Sequence, residues 1–144
     1  MDSSFSVAVH ALVYLYRRDC LVSSEVLAEN ICTNPARVRK VLASLRRAGL
    51  VDSREGNVGG YRFSGDPDQV TLEQVARALG ARFVDAAWHS GGSDRDCLVA
   101  SGMADVMDGL YGELDQLCLA RLRTVTVGDI DRKVVDCKKT GQNL

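Results

Sequence analysis

Residues 34–50 read NPARVRKVLASLRRAGL, and the fold follows from how this stretch divides between two faces. Asn34 is a good helix cap, and Pro35 suits the first helical position, where no amide hydrogen is needed. Gly49 supplies the stop, so the pattern predicts a helix running to Ala48. With about 100° of turn per residue, Val38, Val41, Leu42 and Leu45 share one side. Arg39, Lys40, Arg46 and Arg47 fall opposite them, with Ala36 and Ala43 interleaved. No acid lies between Asn34 and Ala48. Most charge runs are simply solvated faces. This one lacks the compensating acids, and its small residues would let the backbone approach base edges while the cations reach guanine or phosphate.

Upstream, Ser23 or Ser24 caps a short helix carrying Val26, Leu27 and Ile31, which makes a helix-turn-helix with the basic helix. Before it, Phe5, Ala8, Val9, Leu12 and Tyr16 repeat at helical spacing, and Val7, Ala11, Val13 and Leu15 widen the apolar arc into a largely buried first helix. His10 and Tyr14 are expected as core or edge residues of it. Downstream, residues 50–54 and 61–64 read as two short strands around the glycine-rich loop 55–60, a hairpin wing. Thr71 and Gln74 form a capping box for a helix reaching Leu79. Gly91-Gly92-Ser93 is a polar break, and beyond it Val99, Met103, Val106, Met107, Leu110, Leu114, Leu117 and Cys118 line one long helix.

The expected architecture is mainly α with a small β-hairpin wing: a winged helix-turn-helix domain plus a long dimerisation helix. Residues 1–80 form the winged domain and 81–98 a linker and candidate sensor loop. Residues 99–130 carry the long helix and a short C-terminal helical turn, and 131–144 read as a flexible tail. The seam is expected along Met103, Val106, Leu110, Leu114 and Leu117, because the winged domain already owns an apolar set and this stripe needs another partner.

The chain has 144 residues, 46% hydrophobic and 26% charged, which is globular composition and excludes fibrous, collagenous and wholly disordered classes. The net charge of −1 averages two unlike parts. Residues 1–64 hold nine Lys or Arg against six Asp or Glu, and residues 65–144 hold nine against thirteen. A basic front suits a polyanion. No secretory signal or membrane-length apolar run opens the chain, so a cytoplasmic, membrane-free protein is expected. No phosphate loop, metal-ligand cluster or nucleophile–base pair stands out, so an enzyme is not expected and no metal or catalytic residue is assigned. The rival to DNA binding is a winged helix used only for protein contacts, a class that usually loses its basic recognition face.

The expected DNA-binding set is Arg39 and Lys40 near base edges, Arg46 and Arg47 nearer the backbone, and Arg54 and Arg62 in the wing. Ser24, Asn34 and Arg37 complete it at the two helix starts.

The chain resembles the Rrf2 family of bacterial winged-helix transcriptional regulators over residues 5 to 130. The likeness is carried by Ser24-Glu25-Val26-Leu27-Ala28-Glu29, by residues 34–42, by Val70-Thr71-Leu72, and by residues 125–130. Its most specific part is the pattern A-G-L-V-x-S-x-x-G-x-x-G-G-Y at residues 48–61. The resemblance implies homodimers joined by the long helix that bind imperfect palindromes and usually repress. It also implies that the third helix reads the major groove, through Arg39 and Lys40, and that the wing arginine, Arg54, enters the minor groove. Members that sense iron–sulfur status or nitric oxide carry three cysteines before and at the start of the dimer helix. Here residues 87–100 hold only Cys97, with His89 as the other soft donor, and one thiolate is a poor cluster site. The chain is therefore more similar to the cluster-less branch bearing N-P-x-x-V-R-K, and no cofactor is expected.

The five cysteines, with no C-x-x-C, suit free thiols in a reducing compartment. Cys97, at the start of the long helix, is a candidate redox sensor or a small packed residue, the second being the expectation. Cys20, Cys32 and Cys118 are expected to pack, and Cys137 to lie exposed in the tail. Trp88 lines a small-molecule pocket or, as expected here, plugs a packing gap. The partners expected are double-stranded DNA, a second copy of the chain, and a small-molecule or redox signal of unknown identity.

Overall fold

A computed structural model describes residues 3–142. Its elements run α1 (Ser4–Arg18), α2 (Ser24–Ile31), α3 (Pro35–Arg47), β1 (Val51–Arg54), β2 (Gly60–Phe63), α4 (Leu72–Leu79), α5 (Leu98–Leu122) and α6 (Val127–Gln142). The local signals explain most of these boundaries. Ser23 Oγ accepts from the Val26 amide to start α2, Asn34 Oδ1 accepts from the Arg37 amide to start α3, and Thr71 and Gln74 complete a reciprocal box at α4. The turn between α2 and α3 has no glycine. Cys32 takes the left-handed conformation instead, with φ 63°, and the Thr33 amide closes the turn onto Ala28 O at 3.0 Å.

The apolar faces of α1, α2 and α3 meet in one core, where Leu12, Leu15, Leu27, Val38, Leu42 and Leu45 are fully buried. Removing such a side chain, as in Leu42→Ala, costs about 2–5 kcal/mol. β1 and β2 pair antiparallel in the register Val51↔Phe63, Asp52↔Arg62, Ser53↔Tyr61 and Arg54↔Gly60. Val22 adds a single bridge to Tyr61, its amide and carbonyl exchanging bonds of 2.9 and 2.8 Å. That contact fixes the wing to the helix-turn-helix. It requires glycine at position 60, where φ is +151° and a Cβ would stand 2.6 Å from Val22 O.

The C-terminal region departs from the sequence expectation. Residues expected as a short turn and loose tail form the sixteen-residue helix α6, and residues 143–144 of that tail lie outside the described residues. The cause is docking. The Thr126 amide donates to Asp129 Oδ2 at 2.9 Å and the Asp129 amide to Thr126 Oγ1 at 3.0 Å, capping the helix. Val127 is fully buried, and its amide reaches Val70 O at 2.9 Å. Arg17 pairs with Asp131 at 2.5 Å, and Arg132 reaches both Asp68 and Asp129. Cys137 lies exposed on this helix rather than in a loop.

Three packing expectations are also corrected. Cys20 and Cys32 are exposed because both sit at helix ends rather than on buried faces, while Cys118 is half-buried. Trp88 is 77% exposed and plugs nothing within its own chain. Among the described residues no helix is long and apolar enough to cross a membrane.

Candidate nucleic-acid interface

α3 buries Val38, Val41, Leu42 and Leu45 and turns Arg39, Lys40, Ala43, Arg46 and Arg47 to solvent. The buried four carry the helix against α1 and α2, so the packing that holds the basic face in place comes from the opposite side of the helix. The wing stands beside it. Ser23 and Glu25 at the start of α2, Ala43 and Arg46 on α3, and Arg54 and Tyr61 of the hairpin all line one open cleft of about 400 Å³. Glycine and small side chains make up much of its lining, and Arg46 and Arg54 bring guanidinium groups to it beside the carboxylates of Glu25 and Glu55.

The expected residues divide by how they are held. Among the described residues, Lys40, Arg46 and Arg54 have no side-chain partner and are exposed. Arg47 donates to Ser44 Oγ on its own helix, at 3.1 Å. Arg39 leans back to Ser24 Oγ at 3.3 Å and to Glu25 Oε1 at 3.6 Å. That ion pair is half-exposed on both sides, and pairs of this kind contribute about 0–1 kcal/mol, so phosphate or guanine can displace it.

Four expected residues are occupied otherwise. Ser24 lines the same cleft but is largely buried, its hydroxyl accepting from Arg39 and donating to Glu25 Oε2 at 3.2 Å, so it positions the arginine. Asn34 uses its side-chain oxygen on the Arg37 amide at 2.8 Å. Arg37 is half-buried and donates to Ser3 Oγ, away from the basic face. Arg62 pairs at 3.0 Å with Asp19, the residue that caps the end of α1. The sequence reading missed Ser23 and Tyr61 as cleft residues. Only the serine cap was legible, because the Val22–Tyr61 bridge is a long-range contact.

α5 presents a second surface. Only Asp115 and Leu119 on it are buried, both near its C-terminal end. Met103, Val106, Leu110, Leu114 and Leu117 are all exposed, Val106 and Leu117 by about two-thirds (68% and 66%). Phe83, Val84, Leu114, Leu117 and Leu122 shape an apolar hollow of about 550 Å³ on this helix. The stripe is therefore not core of the single chain.

Cys97 is the N-terminal cap of α5 and is exposed. The Ala100 amide, followed by that of Val99, draws its thiol below the ordinary cysteine value. His89 in the preceding linker pairs with Asp108 on α5 at 2.9 Å. Among the described residues no group of three or more His, Cys, Asp or Glu side chains is gathered to hold a metal ion.

A family profile described as "Rrf2: Iron-dependent Transcriptional regulator" matches residues 1–133. YwnA of Bacillus subtilis, which carries the description HTH-type transcriptional regulator, is 28% identical over 130 residues, covering 90% of this chain and 96% of YwnA. A transcriptional regulator of Lactobacillus plantarum solved by crystallography superposes with a TM-score of 0.83 at 25% identity, covering 99% of this chain and 97% of the other. IscR of T. potens shares the fold, with a TM-score of 0.66 at 20% identity over 93% of this chain and 87% of its own. Among the described residues, the iron in the family description finds no matching donor set. Cys97 stands without a second thiolate, and the nearby imidazole is engaged by Asp108. An iron–sulfur cluster needs several such ligands.

Proposed function

We propose a sequence-specific DNA-binding role for this chain, which belongs to the Rrf2 family of transcriptional regulators. The observation that carries the reading is the outward basic face of α3, set beside a glycine wing whose arginine shares its cleft. The protein acts as a homodimer joined along the Met103–Leu117 stripe of α5, with each α3 in a major groove and each wing at the adjoining minor groove. Two recognition helices about one DNA turn apart give a small reader its affinity, and twofold symmetry demands an imperfect palindrome. Occupying such an operator blocks transcription, so repression is the expected sign. Arg39 and Lys40 read bases, Arg46 and Arg47 hold phosphates, and Arg54 enters the minor groove. Arg37 and Arg62 support these elements from behind.

Selection of bound sites from random duplexes tests this directly. Inverted repeats with helical-turn spacing are the expected outcome, together with steep weakening by salt as counterions are released. Recovery of no sequence, with shallow salt dependence, would instead fit a winged helix used for protein contacts.

A further inference from the structure

We propose that Glu73 is a positioning residue which fixes the angle between α5 and the winged domain, and thereby the half-site spacing a dimer accepts. The inference rests on the dimeric reading above. Towards its N-terminal end α5 touches only the preceding linker, through Gly92 N to Ala100 O at 2.8 Å and His89 to Asp108 at 2.9 Å among the described residues, and two further contacts hold it nearer its C-terminal end. Asp115 Oδ1 accepts the Phe83 and Val84 amides at 2.7 and 3.1 Å. Eight residues later the Arg123 guanidinium forks onto Glu73, with Nε to Oε2 at 2.7 Å and Nη2 to Oε1 at 2.9 Å. A two-pronged bond of this kind fixes direction as well as distance. Glu73 is itself held, because its carboxylate also receives Arg77 at 2.9 and 3.1 Å and its side chain is only 11% exposed. It sits in the first turn of α4, where the neighbouring Leu72 amide donates to Val125 O at 2.8 Å. α4 packs on α1 and α3, so the fork ties α5 to the recognition helix through a single element.

The lever is long. Leu110 lies thirteen residues from Arg123, which is about 20 Å along a helix. A rotation of roughly 10° at the base moves the seam by roughly 3.5 Å, about the 3.4 Å rise of one base pair. A twofold dimer applies that shift in both protomers. An ion pair that served stability alone would carry no such consequence.

The test uses the full chain as wild type, Glu73→Gln, Arg123→Gln and the control Arg77→Gln. Each is assayed on duplexes that carry the wild-type half-sites separated by spacers lengthened or shortened by single base pairs. Dimer mass is checked by light scattering at the assay concentration. Glu73→Gln and Arg123→Gln should remain dimeric and keep wild-type affinity for one half-site. Their preference for the native spacer should fall by about tenfold, since a freer hinge no longer opposes the altered spacing. Arg77→Gln leaves the α5 fork in place and should keep the native preference. The Arg123 side chain is largely exposed, so Arg123→Gln carries the test should Glu73→Gln fail to fold. Unchanged spacer preference in a dimeric Arg123→Gln protein overturns the proposal. Failure of the wild type to select any inverted repeat overturns the dimeric reading first, and this inference with it.

Discussion

The division of labour along α3 can be measured as a difference in salt dependence between Arg46→Ala and Arg39→Ala. Arg46 stands at the open cleft with no partner among the described residues, so a phosphate contact made there is made in full. Each phosphate contact on duplex DNA contributes about 0.9 to the slope of log affinity against log salt. A dimer loses two such contacts in the variant, so its slope should flatten by about 1.8. Between 50 and 200 mM salt, the penalty of Arg46→Ala should therefore shrink by about tenfold, and equally on operator and random duplexes. Arg39 starts from a different position, because it must leave Ser24 and Glu25 to meet a base. Its loss at the operator should be on the order of 1–3 kcal/mol per half-site, with a much smaller loss on random DNA and relaxed preference at the contacted base. Fluorescence anisotropy titrations at four salt concentrations, on both duplexes, give all of these quantities. Equal losses on operator and random DNA for Arg39→Ala would show that Arg39 does not read sequence. An unchanged slope for Arg46→Ala would remove its phosphate role.

Leu110→Glu places a charge at the middle of the exposed α5 stripe and should give monomers by light scattering that lose operator binding but keep their helical circular dichroism; a dimeric variant would put the seam elsewhere. Protein purified without oxygen should show no visible iron–sulfur chromophore, since Cys97 has no second thiolate beside it; stoichiometric iron and sulfide would refute this. Acid should act through Glu73 and Asp129. Hydrogen bonds and charge from Arg123 and Arg77 hold Glu73 near 2, and the Thr126 amide, then Arg132, hold Asp129 at about 2. Both native values lie below the ordinary carboxylate range, so their contribution is complete above about pH 4.3 and disappears as pH falls toward 2. Urea midpoints should drop across that window, and Glu73→Gln should flatten the drop. A midpoint as acid-sensitive in Glu73→Gln as in wild type would exclude Glu73 as a source.

Features held by neighbours a few residues apart were readable from the amino-acid order. Asn34-Pro35 starts α3, Thr71 and Gln74 start α4, and the glycines of residues 56–60 make the wing, because caps and turns are short-range bonds. The two faces of α3 were legible for the same reason, since helical period alone separates Val38, Val41, Leu42 and Leu45 from the arginines. Tertiary structure decided which of those arginines have other employment. Arg37 and Arg62 are as basic as Arg46, yet they are drawn to Ser3 and Asp19, thirty-four and forty-three residues away. It also decided that residues 131–142 are helix. That stretch is polar and charged, and what orders it is Val127 entering a distant core and Asp131 meeting Arg17 across 114 residues. Glu73 belongs with these. In the sequence it is one acid in a capped first turn, and only folding brings Arg123 from fifty residues away onto its carboxylate. Long-range pairing depends on where whole elements dock, and no local pattern encodes that.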